Sequence, residues 1–323
     1  MGTSTQLPAR DQRLLVSKPK LLIVDEDEPI RTQPAPAATQ PLPETASRSV
    51  GGARRVKLRP RHGWQAIDLQ ELWQYRELLW ILALRDVKVR YKQTVLGVAW
   101  AIIQPFCTMV VFTIIAELGN LSTDDTPKPL FYFCGLLPWL LFANSLNSAG
   151  NSLVGNQHLI TKVYFPRLVI PIASVITGLI DFAIAQAMLL LMMAWYGYPV
   201  GPQILLLPAF VALAFVASLG VGLWLSALNV EFRDVRYVIP FLTQLWLFCT
   251  PILYSSTAVT TPWKRVLLGL NPMSGVVEGF RWTMLGKPSP GPMLVVSVAT
   301  VLVMLASGLF YFRRMERTFA DRV

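Results

Sequence analysis

The chain has 323 residues, 53% of them hydrophobic and only 15% charged, and its mean hydropathy is positive. A soluble globular domain carries about 25% charged residues, so this composition excludes an ordinary soluble fold and points to the membrane. The net charge of +10 comes from 29 Lys and Arg against 19 Asp and Glu, and its distribution excludes a nucleic-acid footprint. Sixteen of the basic residues precede Thr94, and most of the others fall in alternate breaks between apolar runs or in the tail. That alternation orients a chain across a bilayer and draws it to lipid headgroups.

Residues 1–60 are rich in Pro, Thr, Ala and Arg, and 33–48 have the composition of a disordered linker. The start has no charged-then-apolar signal peptide, so it is expected in the cytoplasm. Within it, Leu21-Leu22-Ile23-Val24-Asp25-Glu26-Asp27-Glu28 looks like the first strand and acidic pocket of a receiver domain. Asp25-x-Asp27 also mimics the metal-binding D-x-D of nucleotide-sugar transferases. No domain surrounds either motif, and a solvated acidic segment or short docking peptide is the plainer reading. Arg54, Arg55, Lys57, Arg59 and Arg61 then form a basic cluster suited to anionic lipid.

Between 69 and 91, Leu69, Leu72, Trp73, Arg76, Leu79, Trp80, Ala83 and Val87 recur at helical spacing. The apolar stretch 78–84 is too short to span. With Trp and Leu on one face and Arg85, Lys88, Arg90 and Lys92 close behind, the helix is expected to lie in the interface. Asp86, four residues before Arg90, supplies a helical ion pair. The alternative, a soluble core helix, has nothing large enough to pack on.

Six spans follow, over 95–116, 130–153, 168–196, 204–228, 237–254 and 293–312. Lys162 and Arg167 after the second, with Arg233 and Arg236 after the fourth, place those breaks inside. Lys128, Lys264, Arg265, Arg281 and Lys287 are left for the outside. The break at 197–203 is uncharged and external, with Trp195, Tyr196 and Tyr198 beside it as an aromatic belt. Residues 260–290 are neither a plain loop nor a clean span. Leu267-Leu268, Val276-Val277, Phe280 and Trp282 surround a break at Asn271-Pro272, which fits two re-entrant half-helices dipping into the outer leaflet. Gly275-x-x-x-Gly279, Gly97/Ala101 and Ser218/Gly222 have the small-residue spacing of close helix contacts. The fold class is therefore all-α: six transmembrane helices, an N-terminal interfacial amphipathic helix and external half-helices between spans five and six. The regions are a disordered segment 1–60, an interfacial region 61–94, a transmembrane domain 95–312 and a cytoplasmic tail 313–323.

Catalytic motifs are missing. There is no G-x-x-x-x-G-K-[ST] to cradle nucleotide phosphates, and His62 and His158 stand alone. Cys107, Cys134 and Cys249 lie in apolar runs as small hydrophobes, with no C-x-x-C pair. Asp181 is the clear intramembrane ionisable residue. It is either functional or a structural carboxylate bonded by Thr177, by Gln186 or by a neighbouring helix. Neither a motor nor an ion-coupling chain is evident, so any transport must draw its energy from a partner.

The run Arg85-Asp86-Val87-Lys88-Val89-Arg90-Tyr91-Lys92-Gln93-Thr94-Val95-Leu96-Gly97, with Trp100 and Gln104-Pro105, resembles the opening of ABC-2-type polysaccharide and polyol-phosphate export permeases. Further blocks occur in family order. They are Leu159-Ile160-Thr161-Lys162-Val163-Tyr164-Phe165-Pro166-Arg167, then Asn229-Val230-Glu231-Phe232-Arg233-Asp234-Val235, Pro251-Ile252-Leu253-Tyr254 and Leu270-Asn271-Pro272-Met273. Residues 1–60 have no counterpart in that pattern.

The resemblance implies a homodimer that works with two copies of a cytoplasmic ABC ATPase and extrudes a lipid-linked glycan across a bacterial inner membrane, with both termini inside. ATP and Mg would be used by the partner, and this chain would hold no cofactor and be no enzyme. The segment 156–167 would contain the helix that couples to the ATPase, through Leu159, Lys162, Tyr164 and Arg167. The interfacial helix would be a gate, with Arg85, Lys88, Arg90 and Lys92 near lipid-linked phosphate, a role suited to Arg and Lys. Because sugar rings stack on aromatic faces, Trp100, Phe106, Trp246 and Tyr254 are the candidates for the substrate path. An ABC-2 permease for a drug or small lipid, and an ion-coupled carrier, remain the other readings of the sequence.

Overall fold

The computed structural model describes residues 69–92, 97–123, 125–256, 259, 261–316 and 319. The acidic segment, the linker and the basic cluster expected within 1–61 lie outside the described residues, as do positions 95–96 at the start of the first expected span. Among the described residues every regular element is a helix.

The interfacial element is two helices, α1 (Leu69–Gln74) and α2 (Arg76–Lys92), with a turn at Tyr75. Its faces differ from the expected ones. Leu82 and Ala83 are buried and Leu72, Leu78 and Leu79 pack beside them, whereas Trp73, Trp80 and Ile81 are exposed. Leucines thus face the protein and tryptophans face outward, where an amphipathic indole suits a membrane surface.

Next come α3 (Trp100–Leu118), α4 (Lys128–Gly155), the short α5 (Gln157–Lys162), α6 (Val169–Trp195) and α7 (Leu207–Glu231). With α11 (Pro292–Met315), and counting the 3-10 turns ahead of α3 and α7, five of these helices are long and apolar enough to cross a bilayer. The chain is an all-α polytopic membrane protein. Helix α4 is its axis: 78% of its most apolar window is buried, against 17–39% for the other four. It packs on α3, α6 and α7, and on two later helices, α8 (Val235–Cys249) and α10 (Pro272–Leu285).

The expected fifth span, 237–254, is helical only as α8 (Val235–Cys249), whose 15 residues reach about 22 Å. Thr250 is extended, with φ −96° and ψ 138°. Proline imposes that conformation on the residue before it, so Pro251 ends the helix early and leaves 250–256 as a strap outside any α-helix.

Two helices then meet at Asn271-Pro272: α9 (Pro262–Leu268) and α10 (Pro272–Leu285). The Asn271 side chain accepts from the Met273 amide at 3.0 Å and caps α10, with Pro at its first position. Helix α10 is almost wholly buried. A Cβ on Gly275 would lie 2.6 Å from Ser297 of α11, and one on Gly279 only 2.0 Å from the Phe210 ring of α7. The expected small-residue contact therefore joins α10 to two helices at once. Gly222 likewise meets Ala149 of α4.

Two apolar cores result. The larger runs through α3, α4, α6, α7 and α10. The smaller gathers α2, the α4–α6 connection, the end of α7 and Phe312 of α11 at one end of the bundle.

Candidate functional site

Helix α2 ends in Val89-Arg90-Tyr91-Lys92, and its rotation turns the middle pair toward α6 while Lys88 and Lys92 stay exposed. The Arg90 guanidinium and the Tyr91 hydroxyl donate to the two carboxylate oxygens of Asp181. Arg90 also reaches the Ser148 hydroxyl on α4 at 3.4 Å. The ion pair is half-buried, with side-chain exposures of 36% for Arg90 and 17% for Asp181. Burial and the hydrogen bond to Asp181 push the Tyr91 phenol up to about 12, so it remains a donor at neutral pH.

Of the partners considered for Asp181, the neighbouring helix supplies both. Thr177 instead bonds the Ala173 carbonyl at 3.1 Å, and Gln186 donates to Met284 Sδ at 3.7 Å. The helical pair expected between Asp86 and Arg90 does not form. Asp86 bonds its neighbour Arg85 at 2.7 Å, and Arg85 donates to Asn156 Oδ1, also at 2.7 Å, which ties α2 to the joint between α4 and α5.

Arg90, Tyr91 and Asp181 edge a cavity of about 410 Å³ between α2, α3, α4 and α6. Trp100, Gln104, Asn144 and Asn147 also line it. A guanidinium and a phenol suit an anionic oxygen group, amides suit hydroxyls, and the indole offers a face for a ring.

The other candidate residues lie elsewhere. Phe106 is 41% exposed on α3, outside the lining. Trp246 packs edge-on against Phe142 at 5.2 Å and donates to Asn271 Oδ1 at 3.0 Å. Tyr254 is half-buried in the strap. One copy of the chain therefore brings only Trp100 to the cavity. In the connection after α4, Lys162 and Tyr164 are exposed and Leu159 is partly buried. Arg167 turns back into the molecule: its guanidinium donates to the Glu316 carbonyl and lies over the Phe319 ring at 5.8 Å.

Residues 77–285 match the family described as ABC-2 type transporter. The chain belongs to that family. It is 32% identical over 260 residues to the O-antigen export system permease protein RfbA of Myxococcus xanthus, covering 79% of this chain and 98% of that protein. It is 26% identical over 246 residues to the protein of the same description from Klebsiella pneumoniae, covering 76% and 94%. With the polysialic acid transport protein KpsM of Escherichia coli it shares 28% identity over 242 residues, covering 73% and 92%.

A second site in this ABC-2 chain went unseen in the sequence. Arg281, one of the basic residues left for the outer side, is fully buried. It lies 3.7 Å over the Phe131 ring and donates to the carbonyls of Pro251 and Ile252, both at 2.7 Å, and of Tyr254 at 3.3 Å. Glu278, one turn earlier, pairs with it at 3.2 Å and accepts from the Ser256 amide at 3.0 Å. Gly135 makes the room, since a Cβ there would be 2.8 Å from the guanidinium. The available signal was a Glu and an Arg three apart in an otherwise apolar helix. A span expected to run to 254 gives no sign of the carbonyls that Arg281 holds.

Proposed function

We propose that this chain is the membrane permease subunit of an ATP-driven exporter of a lipid-linked polysaccharide in a bacterial inner membrane. It works as a homodimer with two copies of a separate cytoplasmic ABC ATPase, which use the ATP and Mg. One observation carries the reading: residues 77–285, which match the ABC-2 family, take in nearly all of α2 and the whole lining of the cavity beside it, and relatives over most of the chain are named for O-antigen export and polysialic acid transport.

The smaller apolar core supports the orientation proposed, because it gathers α2, the connection after α4 and the end of α11 on one side. Lys162, Arg313 and Arg314 lie there, so the positive-inside rule makes that side cytoplasmic. Helices α9 and α10, with the strap, then occupy the outer side as re-entrant elements, and the short α8 with that strap completes a sixth crossing. In this reading the gate cations are Arg85, Lys88, Arg90 and Lys92. Trp100 meets the first sugar, and Phe106, Trp246 and Tyr254 line the path between the two copies. The ATPase seats on Lys162 and Tyr164, with Leu159 and Arg167 behind them.

The first test is a pull-down of the tagged full chain from mild detergent, with mass spectrometry and an ATPase assay. A two-plus-two complex with a P-loop ATPase is expected. A preparation without ATPase that moves substrate down an ion gradient overturns the reading. Lys162→Glu should reduce ATPase co-purification at least about tenfold if the contact is charge-paired. Unchanged assembly would reject Lys162 as part of the seat.

A further inference from the structure

We infer that Asp181 stands in for the substrate's phosphate: its carboxylate occupies Arg90 and Tyr91 at rest, and a phosphate headgroup entering the cavity displaces it and frees α2 from α6. The inference rests on reading the cavity as the entry point of a phosphate-bearing lipid.

Three observations carry it. Two donors from consecutive residues converge on the two oxygens of one carboxylate, an arrangement that also fits two oxygens of a phosphate. Among the described residues lining the cavity, Arg90 and Asp181 are the charged ones, so the paired site is electrically neutral. An arriving phosphate is drawn to the guanidinium and repelled by the carboxylate, and it gains Arg90 fully only when Asp181 lets go. Finally, the donors belong to α2 and the acceptor to α6, so a change of partner severs polar bonds between two elements otherwise joined by apolar packing around Ala83 and Ala173. The displacement has a path onward. Arg85, five residues back on α2, is bonded to Asn156 at the start of the proposed ATPase seat.

An internal competitor reduces apparent affinity to the intrinsic value multiplied by the fraction of molecules in which it is released. Removing its charge should therefore tighten binding, the reverse of what loss of a mere structural bond would do. The test is equilibrium binding of radiolabelled dodecyl phosphate to the full-length protein in neutral detergent. Asp181→Asn should bind at least about tenfold more tightly than the parent, and Arg90→Gln at least about tenfold more weakly. The double variant should match Arg90→Gln. If Asp181→Asn binds equally or more weakly while Arg90→Gln is impaired, the phosphate site stands and the surrogate role falls. If Arg90→Gln binds like the parent, the entry-site reading itself falls. Inorganic phosphate should compete poorly, and full competition at equal concentration would make this a free-anion site instead.

Release of α2 has its own readout, which leaves Asp181 intact. In a chain with the exposed Cys107 and Cys249 changed to Ser, Ala83→Cys places a thiol at a position only 3% exposed on α2. Dodecyl phosphate should speed its maleimide labelling several-fold, whereas dodecyl maltoside should not. An unchanged rate overturns the release.

Discussion

Among the described residues, two of the arginine–carboxylate pairs are opposite in character. Arg281 and Glu278 sit on one helix three residues apart, almost without exposure, and grip the strap through three carbonyls and an amide. Arg90 and Asp181 sit on different helices at the edge of a cavity, half-buried, with Ser148 and Tyr91 beside them. A desolvated pair held by many bonds has no inexpensive alternative partner, and losing one member leaves a buried charge. A pair that solvent and ligand can reach gives up little when it opens. The first is suited to fixing an element in place, and the second to releasing one.

The contrast breaks most visibly at Arg281. Arg281→Met removes the cation and leaves Glu278 and the strap carbonyls facing an apolar chain, at a cost of about 3–5 kcal/mol. Thermal unfolding in detergent, followed by size-exclusion chromatography, should show aggregation or a large fall in the midpoint. A midpoint near the parent's would mean that the strap is held by something else. Gly279→Val probes the same element through packing alone. With Phe210 only 2.0 Å from the site of a Cβ, overpacking should cost about 1–3 kcal/mol, and Phe210→Ala in the same chain should restore part of it.

Asn271→Ala should come next, at about 1–2 kcal/mol. The side chain caps α10, donates to Cys249 O at 3.1 Å and Thr250 Oγ1 at 2.9 Å, and accepts from Trp246. It joins the end of α8 to the start of α10. Asn271→Asp keeps the cap but loses the two donated bonds, so an intermediate midpoint would divide the two contributions. Equal midpoints for Ala and Asp would assign the whole effect to the donated bonds.

What the sequence made legible depended on distance along the chain. Apolar runs announced the long helices, and Asn271-Pro272 announced the start of α10, because such signals act within one or two turns. Pro251 is an equally local helix stop, but the expected fifth span runs past it to 254 and so hides the strap. The local pairing of Asp86 with Arg90 looked natural on a helix, but Arg90 bonds Asp181 from 91 positions away. An exposed helical ion pair is worth a few tenths of a kcal/mol, so a partner that is also shielded from solvent readily overrides it. Asp181 itself stood out as an intramembrane acid, and only the folded arrangement of α2 and α6 names its partners. Trp100 and Arg90 share a cavity, whereas Phe106, Trp246 and Tyr254 were grouped with Trp100 by chemistry and are separated by the fold.

The smallest stability effect is expected at Arg90, where the effect on binding is greatest. Its side chain is 36% exposed, so solvent screens the pair and Arg90→Gln should change unfolding stability by less than about 1 kcal/mol. Asp181 would keep the Tyr91 hydroxyl as donor and the cavity as a route to water. Leu82 and Ala83 would continue to hold α2 against the bundle. The measurement is the same unfolding midpoint used for Arg281→Met, taken beside dodecyl phosphate binding on the same preparations. A midpoint close to the parent's with binding lost would place the Arg90 pair in function and the Arg281 pair in structure. A fall comparable to that of Arg281→Met would show that both pairs are structural anchors, and α2 would then be a fixed part of the bundle.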